Sequence, residues 1–281
     1  LGLCAVITAL ALVLSADASF GAGLGRPVRR WDTGGTGMRL LDTAVLVALT
    51  AFVAAPLLTF LLRGVPGILS GLPDGIWLAA LRSLAIALAA TVAALIMGVG
   101  LAALIDARRA RGGGKLMETF ALLTLSASPM VIGTGLFIII HPLADPFALA
   151  LLVTAAVNAV MALPFVLRAL LPGLAALRIA DTRLADSLGI SGAARFRLVL
   201  WPRLRRPLCF AAGLSAALSM GDLGVVALFA PPDFATLPLL MQRLMGSYRM
   251  QDAAAVAVVL VLLTFTLFVA FDRGGRPRAQ A

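Results

Sequence analysis

The stretch Ser83–Ile105 reads SLAIALAATVAALIMGVGLAALI, 23 residues without a charge. As a helix rising about 1.5 Å per residue it covers the roughly 30 Å of a bilayer's hydrocarbon core. It shows no strand-like alternation, and lipid tolerates no open backbone edge, so an α-helix is the expected form. Working outward, Thr43–Leu62, Thr119–Ile140, Phe147–Leu167 and Ala253–Phe271 are equally uncharged, and Leu208–Ala230 carries one charge, Asp222. Each is long enough to span. Leu1–Ala16 is uncharged but only 16 residues long, too short to cross alone. The chain opens on Leu in the middle of that run. It has no basic stretch ahead of the run and no clear cleavage site, so a signal peptide is not expected. We expect a start that is missing or split from a longer protein.

Composition agrees. Of 281 residues, 61% are hydrophobic and 13% charged, and mean hydropathy is +1.04. An average soluble protein is roughly 25% charged. The net charge of +10 sits in short clusters between apolar runs, the layout of a polytopic membrane protein and not of a nucleic-acid binder. Nineteen of the 23 basic residues fall in one alternating set of loops, and the other set holds only Arg63, Arg82, Arg243 and Arg249. Positive loops stay inside, which predicts a cytoplasmic C-terminal tail and an external Pro231–Asp252 loop. Pro56, Pro129 and Pro164 lie within runs and are expected to kink or break them. Ala85, Ala87, Ala89, Ala90, Ala93 and Ala94 suit close helix–helix approach.

Enzyme signatures are missing. The single histidine, His141, has no carboxylate or second histidine near it in sequence. Gly112-Gly113-Gly114-Lys115 lacks the upstream glycine, the following Ser or Thr and the preceding strand of a phosphate loop. Gly34-Gly35-Thr36-Gly37 lacks the context of a dinucleotide site. Cys4 and Cys209 have no metal or redox spacing. No metal, cofactor or catalytic residue is expected.

The stretch from Pro172 to Arg206 carries more pattern than a connector needs. Ile179–Leu188 has apolar Leu184 and Leu188 at i, i+4, with Asp181 early, where a helix N-terminus favours an anion. Gly189 ends it, and a second helix is expected over Ala193–Leu200, ending at Trp201-Pro202. Arg183-Leu184-Ala185-Asp186-Ser187-Leu188-Gly189, followed after nine residues by Val199-Leu200-Trp201-Pro202, resembles the EAA loop of type I ABC importer permeases. Gly189, the nine-residue gap, Val199 and Pro202 fit that motif, and Ala185 keeps its second alanine. Arg183 replaces the glutamate, Leu184 the first alanine and Trp201 the leucine.

Further segments resemble the end of the bacterial thiamine transporter permeases. They are Ser219-Met220-Gly221-Asp222-Leu223-Gly224-Val225-Val226-Ala227-Leu228-Phe229, Thr236-Leu237-Pro238 and Gly246-Ser247-Tyr248-Arg249-Met250-Gln251-Asp252. That family carries two fused six-helix halves. The resemblance implies an all-α, polytopic membrane helix bundle of the type I ABC importer fold. Residues 1–16 would be a partial last helix of a first half and 17–39 a basic cytoplasmic linker. Residues 40–271 would be the permease domain, with a core at about 78–271 and the coupling loop at about 172–206, and 272–281 a cytoplasmic tail.

The resemblance further implies a bacterial inner-membrane subunit that moves thiamine, with ferric iron or another cation as the alternative cargo. Its partners would be a cytoplasmic ABC ATPase, a periplasmic binding protein and a second permease half, and it would use no cofactor of its own. Arg183, Leu184, Ala185, Asp186, Leu188, Gly189, Val199 and Pro202 would contact the ATPase, and Arg243, Tyr248 and Arg249 the binding protein. Asp222, the one acid well inside a run, and Phe229 two turns on would be candidates for the translocation path. A local role for Asp222 competes with that one, in which Gly221-Asp222 and Gly224 break the helix and the carboxylate accepts freed backbone N–H groups.

Overall fold

The computed structural model describes residues 36–109, 113–124, 127–180, 194, 198, 200–231 and 233–275. Nine helices cover most of these: α1 Thr36–Ser70, α2 Ile76–Arg109, α3 Lys115–Leu123, α4 Pro129–Ile140, α5 Ala150–Ala180, α6 Trp201–Met220, α7 Gly224–Phe229, α8 Leu237–Gly246 and α9 Met250–Gly275. No strand occurs among the described residues. The molecule is a helix bundle of the polytopic membrane kind. Four helical stretches, Gly37–Leu69, Ile76–Arg109, Ala150–Leu177 and Met250–Gly275, are long and apolar enough to cross a bilayer.

Two of the expected spans are not single helices. The Thr119–Ile140 run is divided between α3 and α4. Proline forces the residue before it out of the helical region, and Ser128 is extended at φ −79° and ψ 131°. Pro129 then opens α4, where its missing N–H costs nothing. Pro56 and Pro164, by contrast, lie inside the continuous helices α1 and α5. The Leu208–Ala230 run is divided between α6 and α7, with Gly221, Asp222 and Leu223 outside either helix.

Several expected boundaries also move. Pro172–Ala180 belongs to α5, and Trp201–Arg206 opens α6, so neither is loop. Leu200 is already helical ahead of α6, and Pro202 sits in its first turn, not past the end of an earlier helix. The linker expected over 17–39 gives way to α1 at Thr36, and the expected external loop contains α8.

The core lies where α2, α5 and α6 meet. Ala94, Ala102 and Ile105 of α2 pack on Ala159, Ala162 and Val166 of α5 and on Ala211 of α6. Of the alanines singled out from sequence, Ala87, Ala90 and Ala94 are buried, while Ala85 and Ala89 face outward. At Gly98 the α2–α5 approach is so close that a Cβ would run into the Val166 side chain. Helix α1 stands apart. None of its most apolar stretch is buried, and it touches α9 where Gly64 and Gly67 meet Ala254 and Gln251. In lipid such a helix is solvated, as an exposed polar helix is in water.

Candidate functional site at the interrupted helices

Three places bear on the expected functional residues: the break between α6 and α7, the loop beyond it, and the arginine-rich end of the bundle.

At the break, α6 closes with the Gly221 N–H bonded to Ala217 and the Asp222 N–H to Ser219. Helix α7 begins at Gly224, and its N-cap residue, Leu223, provides no side-chain cap. The cap comes from one residue earlier. The Asp222 carboxylate accepts the backbone N–H groups of Gly224 and Val225 and the side-chain amide of Asn158 on α5. The same amide group donates to Ser219 Oγ at 2.9 Å. Asn158 and Ser219 are 7% and 6% exposed, so this is an interior polar knot tying both half-helices to α5. Ser215 and Ser219 stand at i and i+4 on α6, and Ser219 meets Asn158 of α5. Ser215 Oγ and Asp222 Oδ2 are buried without a hydrogen-bond partner among the described residues. Irregular backbone at membrane depth needs its polar groups satisfied by protein, and here Asp222 serves that purpose although Gly221 itself is exposed.

Phe229 does not share that polar environment. It is fully buried among Ala150, Val153, Val157 and Val225, and its ring meets Phe137 edge-on with centroids 5.5 Å apart. Its face is occupied by this chain's own core, so it is a packing residue and not an open π-surface beside Asp222. His141 caps α4 and lies 5.8 Å from the Phe137 ring. No metal-holding group of His, Cys, Asp or Glu occurs among the described residues.

In the loop after α7, two arginines hold the backbone. Arg82 donates to the Asp233 carbonyl at 3.1 Å and lies 4.6 Å from the centre of the Phe234 ring. Arg243 donates to the carbonyls of Phe234 at 3.1 Å and Pro231 at 3.5 Å. Ser83 accepts the Leu237 N–H at 2.9 Å and so satisfies the first turn of α8 from a neighbouring helix. Arg243 therefore braces the loop. Arg249 pairs with Asp252 at 2.6 Å, an i, i+3 pair that opens α9. Tyr248, between α8 and α9, is 88% exposed and holds φ +59°, a left-handed backbone in which an L-residue is uncommon. All three residues expected to meet a binding protein are exposed, Tyr248 without a side-chain bond among the described residues and the arginines with theirs.

Sequence reading missed Asn158, Arg82 and Ser83. Asn158 was hidden in an uncharged run, and its partner Ser219 is 61 residues away. The only local signal was a lone amide in an otherwise apolar span, which asks for a partner inside the bundle.

At the arginine-rich end, Arg183, Leu184, Ala185, Asp186, Leu188, Gly189 and Val199 lie outside the described residues. Arg109, in the last turn of α2, pairs with Glu118 of α3.

No family model matches the chain. It is similar to curated proteins. It is 36% identical over 255 residues to the thiamine transport system permease protein ThiP of Brucella abortus (strain 2308), covering 90% of this chain and 47% of that relative. It is 34% identical over 242 residues to ThiP of Escherichia coli (strain K12), covering 84% of this chain and 45% of that one. The putative 2-aminoethylphosphonate transport system permease protein PhnV of Salmonella paratyphi A (strain ATCC 9150 / SARB42) is 32% identical over 200 residues, covering 70% of this chain and 74% of the relative. The chain spans about half the length of the thiamine permeases it matches.

Proposed function

Given that the chain belongs to the family of ABC transport-system permeases, we propose that it forms one half of the membrane channel of a bacterial thiamine importer. The supporting observation is the match to thiamine permeases along 90% of its length. In this reading it lies in the inner membrane with its C-terminal tail in the cytoplasm, the orientation that the arginine asymmetry supports. It hydrolyses nothing itself. A separate ABC ATPase supplies the energy, a periplasmic binding protein delivers the substrate, and a second permease half completes the path.

The coupling loop around Gly189 docks in a groove of the ATPase through Leu184 and Leu188. Nucleotide-driven closure pulls the loop, and α5 and α6, the helices on either side of it, transmit the motion to the bundle. Asp222 serves the architecture of the path more than the charge of the cargo. Its carboxylate is turned to Gly224, Val225 and Asn158, and so holds two half-helices at a fixed angle. The outer face around Tyr248 meets the binding protein, with Arg82 and Arg243 keeping the loop beneath it in shape.

The test is co-purification of the chain with its ATPase and binding protein, followed by uptake of labelled thiamine into vesicles. ATP-dependent accumulation that unlabelled thiamine abolishes is the expected result. No thiamine accumulation, with ATP-dependent uptake of labelled 2-aminoethylphosphonate in its place, would move the assignment to the chemistry for which the PhnV relative is named. Gly189→Val should leave insertion intact and separate ATP hydrolysis from uptake.

A further inference from the structure

A cavity of about 350 Å³ opens between the C-terminal turn of α2, α3 and the middle of α5. Arg109, Glu118 and Arg168 form its polar wall, and Leu171, Pro172 and Ala175 its apolar one. Its depth follows from the sequence. The uncharged run on α5 ends at Leu167, one residue before Arg168, and that on α2 ends at Ile105, just before Asp106, Arg108 and Arg109. Both runs are about as long as a hydrocarbon core is thick, so the cavity lies where hydrocarbon gives way to headgroups.

Charge distinguishes the two arginines. Arg109 is balanced by Glu118. Arg168 is exposed and has no ion pair or hydrogen bond among the described residues. Arg108 is exposed on the turn of α2 that carries Arg109. A guanidinium without an ion pair among the described residues, beside an apolar wall at headgroup depth, is complementary to an amphiphile with a single negative charge. Arginine binds phosphate oxygens in a planar fork, and basic pockets between membrane helices take anionic headgroups.

We infer that this cavity is a binding site for the phosphodiester headgroup of an anionic phospholipid, with Arg168 as its principal contact and Glu118 limiting its affinity. The lipid joins α2, α3 and α5 at the end of the bundle from which the coupling loop departs. Occupancy therefore stiffens the element through which the loop would act.

Native mass spectrometry of the full chain, purified in mild detergent, reads the retention of phosphatidylglycerol against phosphatidylcholine. Wild type should retain phosphatidylglycerol about five-fold better, equivalent to about 1 kcal/mol for one basic contact. Arg168→Gln should abolish the preference and Arg168→Lys should keep most of it. Glu118→Gln is the discriminating variant, because it breaks the pair with Arg109 yet adds a second uncompensated cation. It should raise retention by about two-fold if the cavity binds an anion, whereas a purely structural pair would give lower retention or a misfolded chain. Equal retention of the two lipids by wild type, an unchanged preference in Arg168→Gln, or displacement of the lipid by millimolar inorganic phosphate would each overturn the inference.

Discussion

The two interrupted helices reach the same shape by different means. Between α3 and α4 the break is written into the backbone, since Pro129 excludes Ser128 from the helical region and lacks the N–H a continuous helix would need. Between α6 and α7 no proline intervenes. The interruption is held by a side chain, Asp222, which takes up the first N–H groups of α7 and is itself anchored to α5 through Asn158. A break of the first kind is local and indifferent to its neighbours. One of the second kind couples the angle between two half-helices to a third helix, and can be altered by anything that shifts that helix. In the proposed function, where the segment after α5 couples to an ATPase, the second break is the one placed to respond to it.

The largest expected effect is from Asp222→Leu. It removes the acceptor from two backbone donors and from a buried amide, and each orphaned donor costs about 1–3 kcal/mol. The thermal unfolding midpoint in detergent should fall by several degrees, and co-purification with partner subunits should fail. Asn158→Leu should do less. It leaves the Asp222 cap on α7 in place but cuts the link to α5, and hydrogen bonds between membrane helices average about 0.6 kcal/mol with a ceiling near 1.7. The expected signature is near-normal folding with weakened stimulation of transport by ATP, measured as uptake per ATP hydrolysed. A fall in stability as large as that of Asp222→Leu would mean that the knot is structural throughout. Pro129→Ala should be the mildest of the three, below about 1 kcal/mol, because an alanine at the start of α4 adopts the same backbone and its N–H needs no helical partner there. If it cost more than Asn158→Leu, the contrast between the two breaks would be wrong.

How much of this was legible in the sequence depends on the range of the interaction that decides each feature. Pro129 marked a break, but Pro56 and Pro164, singled out on the same ground, lie inside continuous helices, so a proline's local constraint did not by itself decide where a helix stops. Gly221-Asp222 and Gly224 announced theirs because a small–acid–small cluster inside an apolar run is readable locally. Helix ends were not. Hydropathy marks bilayer thickness, whereas α5 continues helically through Pro172–Ala180, beyond the apolar run, and α1 extends at both ends of its own. The knot at Asn158 and the clamp by Arg82, Ser83 and Arg243 were hidden, because their partners lie up to 154 residues away. The packing of Phe229 was hidden for a related reason. Its spacing from Asp222 put it on the same element but said nothing of Phe137, which closes over its ring.

One substitution reaches the central claim most directly. Asp222→Asn keeps an oxygen that accepts the N–H groups of Gly224 and Val225 but removes the negative charge. Uptake of labelled thiamine by vesicles carrying the variant with its ATPase and binding protein should remain close to wild type, because the carboxylate serves to hold the break and not to attract a cation. Uptake that collapses while folding, assembly and basal ATPase activity stay intact would contradict the account and return Asp222 to the translocation path as a charge.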